Sequence, residues 1–344
     1  MNLAFILTSF GISLGLGGLV LAFFPKMGLM DRPERYGHKR EPIPYPGGLA
    51  PLLAIIASLL IFLPLEGPLI AVLTGAILLG VTCFVDDRRG LSPYLRLIIQ
   101  FLAGALLVVG GIGITSISNP LGGTIALDQW SWFMEIGSWS LTLTLLADLV
   151  TVVWVVMMIN AFNWIDGVPG MTSSVSAVAS LVLLLLSIRP EFHYLDQTLA
   201  ITLSSVVLGA SLAFLIFDFP PPKMLMGDTG SMLLGFFLAV TAIISGGKIA
   251  TTILVLGFPI LDFIWVILRR LMKGQSPFKG DLWHFHHRFL KAGFKPWQVV
   301  VVFSGTAAVF GGLALMLQTE GKAMAFAGII AVMLVLATFL YRKI

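Results

Sequence analysis

The sequence predicts an all-α, polytopic integral membrane protein of about eleven transmembrane helices in one domain spanning 1–344, and three observations carry that reading. Of its 344 residues, 58% are hydrophobic and 11% charged, with a mean hydropathy of +0.98, well outside the range of a water-soluble globule. Apolar runs of about 16–22 residues, the length that crosses a hydrocarbon core of ~30 Å, recur along the whole chain. Inside these runs the apolar residues are continuous rather than alternating, which excludes a closed barrel and leaves helices to satisfy the backbone in lipid.

The first run, Leu3–Phe24, has no Lys or Arg before it and a basic cluster from Lys26 to Arg40 after it. That is the reverse of a cleavable signal peptide, so it is read as a retained helix. Leu49–Leu63, Pro68–Val85, Leu95–Ile112 and Leu141–Ile159 follow, then Met171–Ser187, Leu199–Phe217, Met232–Ser245, Ile249–Leu268, Val299–Leu317 and Ala323–Tyr341. Eleven crossings put the amino terminus outside and the carboxyl terminus in the cytoplasm. Every one of the 21 Lys and Arg residues except Arg189, Lys248 and Lys322 then falls on the inner side or at its helix ends, the asymmetry of the positive-inside rule.

The pI of about 9.3 needs no nucleic acid, because basic inner loops beside anionic membrane lipids account for it. The single cysteine, Cys83, lies in an apolar run, which rules out an intrachain disulfide and argues against a metal-thiolate site. The longest outer connection, Ser116–Ser140, carries Trp130, Trp132 and Phe133, which suits a segment at the membrane interface.

Loops 25–48, 86–95, 160–170, 218–231 and 269–298 carry nearly every acid, amide and histidine of chemical interest. A chain threaded through lipid brings distant loops together only where they emerge on one face. The loop set is therefore a candidate active site at a membrane surface.

Asp86 and Asp87 end the third run. Helix neighbours point about 100° apart, so the two carboxylates are expected to do different jobs. Asn160, Asn163 and Asp166 recur every three residues and share a helix face, although an isolated Asn near a membrane helix end often bonds a neighbouring helix. Asp228 stands between Gly227 and Gly230, which allow close approach of a phosphate or metal; an Asp before a helix is also a favoured N-cap. His284-Phe285-His286-His287-Arg288 makes a poor zinc site and a better set of phosphate donors. The first inner loop holds Asp31, His38 and the run Pro42-Ile43-Pro44-Tyr45-Pro46-Gly47-Gly48. Asp148 and Asp262 lie within apolar runs, where an acid either serves function or pairs with another helix.

Taken in order, Gly47-Gly48, Asp86-Asp87 with Leu91-Ser92-Pro93, Asn160-x-x-Asn163-x-x-Asp166-Gly167, Met226-Gly227-Asp228-Thr229-Gly230-Ser231 and His284-x-His286-His287-Arg288 resemble the polyprenyl-phosphate N-acetylhexosamine-1-phosphate transferases. The resemblance covers almost the whole chain. It implies transfer of a HexNAc 1-phosphate from a UDP-HexNAc to a polyprenyl phosphate lipid, with release of UMP, at the cytoplasmic face of the inner membrane. It implies Mg2+ as cofactor, Asn163 and Asp228 as its ligands, and Asp86 and Asp87 as the acids beside the reacting phosphates. His38, Asn160, Asp166, His284, His286, His287 and Arg288 are implied as substrate-binding residues. A homodimer is compatible with this reading.

Phe285 interrupts the histidines, which is similar to the branch that transfers N-acetylglucosamine 1-phosphate rather than the muramoyl-pentapeptide branch, the second reading. One departure stands out: the family commonly has Asp-Gly-x-Asp-Gly, whereas this chain has Asp166-Gly167-Val168-Pro169-Gly170. Pro169 removes the acid that the resemblance expects near the uracil. The rival from another class is a secondary transporter, whose sites lie near the bilayer midplane, often within repeated halves; no internal repeat is evident.

Overall fold

Every apolar run in the sequence contains helix in the computed structural model, which describes residues 2–36, 40–119, 122–136, 139–189, 196–246, 248–276 and 283–343. The helices up to the centre of the chain are α1 (Asn2–Phe23), α2 (Leu49–Phe62), α3 (Gly67–Arg89), α4 (Pro93–Val109), α5 (Leu145–Ile165), α6 (Met171–Ser187) and α7 (Thr198–Asp218). They are followed by α8 (Asp228–Ile244), α9 (Ile249–Val255), α10 (Gly257–Met272), α11 (Phe285–Lys291), α12 (Pro296–Met316) and α13 (Thr319–Lys343).

Among the described residues, α1, α3, α5, α7, α12 and α13 are each long and apolar enough to cross a membrane, and α9 with α10 makes a seventh span if the bent pair is taken together. The other apolar helices, α2, α4, α6 and α8, have 14 to 17 residues. At 1.5 Å per residue they reach roughly 21–26 Å, short of a full hydrocarbon core. Length and composition thus support six or seven of the eleven expected crossings.

Two features depart from the sequence expectation. The run Ile249–Leu268 is not one helix but breaks at Leu256, where α9 and α10 meet at 84°. Pro259 lacks the N–H that would reach the Val255 carbonyl and continue the ladder. Gly257 lets Ile329 of α13 sit directly against the corner. An all-α fold is also incomplete, because the connection from α4 to α5 forms two antiparallel hairpins: β1 (Ser116–Ser118) with β2 (Thr124–Ala126), and β3 (Ser131–Ile136) with β4 (Trp139–Thr144). Their aromatic and β-branched residues favour strands, but the segments are too short to stand out beside the long apolar runs. Trp130, Trp132 and Phe133 are exposed there. Strand β4 runs directly into α5, and Asp148 accepts the Thr144 N–H at 2.7 Å, so this acid is spent on the entry to the helix.

Helix α8 lies at the centre, with every residue from Thr229 to Ile243 buried against α5, α3, α2, α6 and α7. A helix apolar around its whole circumference belongs in a core. Small residues make the close contacts, as expected between helices in lipid. Ser9 and Ser13 of α1 donate to the Val206 and Ala210 carbonyls of α7 at 2.7 and 3.2 Å. A methyl on Gly235 of α8 would sit 2.6 Å from the Met158 carbonyl of α5. This packing leaves the polar first turn of α8 at one end of the bundle.

Candidate active site

A cavity of about 1040 Å³ opens where α3, α5 and α7 end and α4, α6 and α8 begin. Each of the five polar loops supplies part of its wall: Asp31 and Tyr45, Asp86 and Asp87, Asn163 and Asp166, Asp218 and Asp228, His286 and His287. His38 lies outside the described residues.

The Pro-rich loop reaches this place by pairing its backbone with the segment before α8. Pro44 accepts from the Leu225 N–H at 3.1 Å, and the Gly47 and Gly48 N–H groups donate to the Leu225 and Met226 carbonyls at 2.7 and 2.8 Å. Gly48 and Gly230 then meet backbone to backbone, and a side chain on either would overlap the other. Gly227, at φ +76° and ψ 174°, takes a positive-φ conformation open to glycine and so aims the first N–H groups of α8 at Asp87.

Asp87 is saturated with donors. Oδ1 accepts the Tyr45 hydroxyl at 2.5 Å and the Asp228 N–H at 2.9 Å. Oδ2 accepts the Thr229 N–H at 3.0 Å and the Thr229 hydroxyl at 2.6 Å. It therefore caps α8 from another helix, satisfying N–H groups that have no partner inside α8.

Asp86 faces differently. Its Oδ1 accepts the Leu91 N–H at 2.5 Å, closing the turn after α3, and its Oδ2 meets Arg96 Nη1 at 3.1 Å. The opposite Nη2 of Arg96 reaches Asp228 Oδ2 at 2.9 Å and Asn163 Oδ1 at 3.2 Å. Asn163 Nδ2 donates to Asp228 Oδ1 at 2.7 Å. Four residues from four helices thus form one network. Ser92 and Pro93 fix the start of α4, with the Leu95 N–H on the Ser92 hydroxyl at 3.2 Å, and so place Arg96 one turn inside.

Sequence reasoning did not single out Arg96. The signal was available: Arg96 is the lone charged residue of α4, and Gln100 stands four residues on, on the same face. Gln100 takes Asn160, whose Nδ2 donates to Gln100 Oε1 at 2.6 Å and to the Val156 carbonyl at 2.7 Å. Asn160 thus joins two helices and does not line the cavity.

Asp166 accepts the Thr172 hydroxyl at 2.8 Å, and Asp218, also missed, accepts the Ser173 hydroxyl at 2.7 Å. Asp166, Asp218 and Pro169 all line the cavity. Burial pushes the Asp166 carboxyl well above the usual carboxylate range, the neighbouring Asp218 adds to this, and the Thr172 hydrogen bond opposes it.

In the fifth loop, His286 and His287 line the cavity, whereas His284 and Arg288 do not. Arg288 Nη2 donates to the Ala337 carbonyl of α13 at 3.0 Å. His284 Nδ1 lies 2.8 Å from Asp262 Oδ2, and Asp262 Oδ1 accepts the Phe285 N–H at 3.1 Å. Asp262 therefore anchors the histidine segment from α10. The His284 ring stacks on His286 at 5.5 Å between centroids. His286 is buried against Gly167 with both ring nitrogens unbonded. Burial, then the His287 and His284 rings, hold its pKa well below the usual histidine value.

The oxygen-rich set around Arg96 suits a hard cation: the carboxylates of Asp86 and Asp228 and the amide oxygen of Asn163 already converge on a positive group. Among the described residues no three His, Cys, Asp or Glu side chains gather as a metal cage. Magnesium commonly takes only one or two protein oxygens, with water and substrate phosphates completing its shell.

Fold and site define a multi-pass helical membrane protein whose polar constellation sits at one end of the bundle. The chain belongs to glycosyl transferase family 4, whose profile matches residues 69–246. It is similar to the decaprenyl-phosphate N-acetylglucosaminephosphotransferase of Mycobacterium tuberculosis, at 28% identity over 314 residues covering 83% of this chain and 74% of that protein. The probable undecaprenyl-phosphate N-acetylglucosaminyl 1-phosphate transferase of Bacillus subtilis is 28% identical over 301 residues, 86% of this chain and 78% of that one. The undecaprenyl-phosphate alpha-N-acetylglucosaminyl 1-phosphate transferase of Escherichia coli K12 is 28% identical over 330 residues, 92% and 83% respectively.

Proposed function

We propose that the protein transfers N-acetylglucosamine 1-phosphate from UDP-N-acetylglucosamine to a polyprenyl phosphate, giving the polyprenyl-pyrophosphoryl sugar and UMP. An acceptor phosphate oxygen bonds to the sugar-bearing phosphorus as the bond from that phosphorus to the bridging oxygen of UMP breaks. The observation that carries this reading is the convergence of all five polar loops on one cavity. The names of the relatives support the same donor and acceptor.

Asn163 and Asp228 would hold Mg2+, whose role when bound is to neutralise charge building on the pyrophosphate. Asp86 steadies Arg96 at the reacting end of the cavity, and Asp87 keeps the first turn of α8 in register with it. A phosphate monoester loses its second proton near pH 6, so the acceptor arrives as an anion and needs chiefly positioning and charge neutralisation. His286 and His287 line the same cavity, where their ring nitrogens can bond donor oxygens. The site is read as cytoplasmic, with the amino terminus outside, because the basic residues then lie on the inner side.

The test is to supply purified protein with undecaprenyl phosphate, Mg2+ and UDP-N-acetylglucosamine and to look for UMP and lipid-linked sugar. Folded protein that gives no product with any UDP-HexNAc would end this reading.

A further inference from the structure

Arg96 bonds a side-chain oxygen of each residue to which the proposed function gives the divalent ion, Asp228 Oδ2 at 2.9 Å and Asn163 Oδ1 at 3.2 Å. We propose that Arg96 is an internal counter-cation that competes with the ion for these oxygens and must release them for the site to load. This inference rests on the reading that Asn163 and Asp228 are the ligands.

The geometry gives the competition and the destination. An ion bonded at about 2.0–2.1 Å claims the lone pairs that Nη2 uses, and two cations cannot share one small oxygen cluster without strong repulsion. Nη1 remains tied to Asp86 Oδ2 at 3.1 Å, through an acid whose other oxygen is held by the Leu91 N–H. Release of Nη2 therefore leaves the guanidinium tethered at the cavity wall, which Arg96 lines. A planar guanidinium held there is suited to a phosphate group. Loading of the ion and presentation of Arg96 to a substrate phosphate are thus one exchange of cations: the Asp228 carboxylate and the Asn163 amide oxygen would pass from arginine to metal, and the freed Nη2 would pass to phosphate while Asp86 keeps Nη1.

The experiment is Mn2+ binding to the purified full-length protein without substrates, by calorimetry and by the electron paramagnetic resonance signal of free Mn2+. Arg96→Gln removes the competitor and is expected to tighten Mn2+ binding by about tenfold, while turnover falls because the phosphate partner is lost. Arg96→Lys, whose single ammonium lacks the planar fork that spans Asp86 and Asp228, is expected to bind Mn2+ with intermediate affinity and serves if the Gln variant does not fold. Unchanged or weaker Mn2+ binding in the folded variants would overturn the inference. Asp228→Asn separates it from the underlying reading. If that variant loses Mn2+ while Arg96→Gln matches wild type, only the role of Arg96 fails; if Asp228→Asn binds like wild type, the ligand assignment falls and the inference with it.

Discussion

The Asp228 N–H donates to Asp87 Oδ1 at 2.9 Å, joining the end of α3 to the beginning of α8. A carboxylate at a helix N-terminus satisfies orphan N–H groups and meets the positive end of the helix dipole. Because Asp228 is the first residue of α8, Asp87 sets where the Asp228 side chain stands. Adjacent acids that point about 100° apart on a helix thus divide the work. Asp87 builds the frame, and Asp86 faces Arg96.

Replacing Asp87 with Asn leaves one acceptor oxygen where two oxygens now take four donors. The expected loss is about 1–2 kcal/mol of stability, the scale of a removed helix cap, together with faster amide exchange at residues 228–231. Tyr45→Phe removes one donor and should cost less. Thermal unfolding and hydrogen exchange in detergent measure both, and unchanged exchange at these amides in Asp87→Asn would show that the cap is incidental.

Much of this arrangement was legible in the chain. The apolar runs locate the helices because lipid demands continuous apolar surface, and the polar loops stand out against them. Arg96 and Gln100 were harder to see because they stand isolated in an otherwise apolar helix, and only the meeting of α4 with α3, α5 and α8 gives them partners. Asp262 likewise reads as an acid in an apolar run about two turns from Arg269, while the fold pairs it with His284. The 84° corner at Leu256 was hidden because Gly257 and Pro259 sit among apolar residues without interrupting the hydropathy.

Asp228→Asn and Asn163→Ala should each lower turnover by more than about 100-fold, since outer-sphere partners of a metal alone cost 10–100-fold. Expression and thermal stability should change far less, because Asp87 bonds the Asp228 backbone and not its side chain. Full activity in either folded variant, measured as UMP release, would show that the ion is held elsewhere.

The pH dependence of stability should carry opposite signs at two places. Asp166, with its carboxyl raised above 3.8 by burial and Asp218, contributes stability that is complete below that ordinary value and lost as pH rises through the raised one. Asp166→Asn keeps an oxygen for Thr172 and cannot ionise, so it should unfold later than wild type at alkaline pH. His286, depressed below 6.5 by burial and its histidine neighbours, contributes stability present above 6.5 and lost as pH falls through the depressed value. His286→Gln should flatten the acid limb. Melting curves of the three proteins across pH test both signs, and parallel profiles would refute them.

Asp262 and His284 form a buried pair, with side chains 1% and 7% exposed, that holds the segment carrying His286 and His287 to the cavity. Removing one partner of such a pair leaves the other without compensation and costs about 3–5 kcal/mol. The histidine wall should then lose its position, raising KM for the UDP-sugar more than it lowers kcat, because binding common to ground and transition states is lost. Asp262→Ala and His284→Ala combined should be little worse than either alone, as expected for residues acting as a unit. Donor titrations of the two single variants and the double variant decide the matter. Additive losses, or a fall in kcat with KM unchanged, would mean that Asp262 does not act through His284.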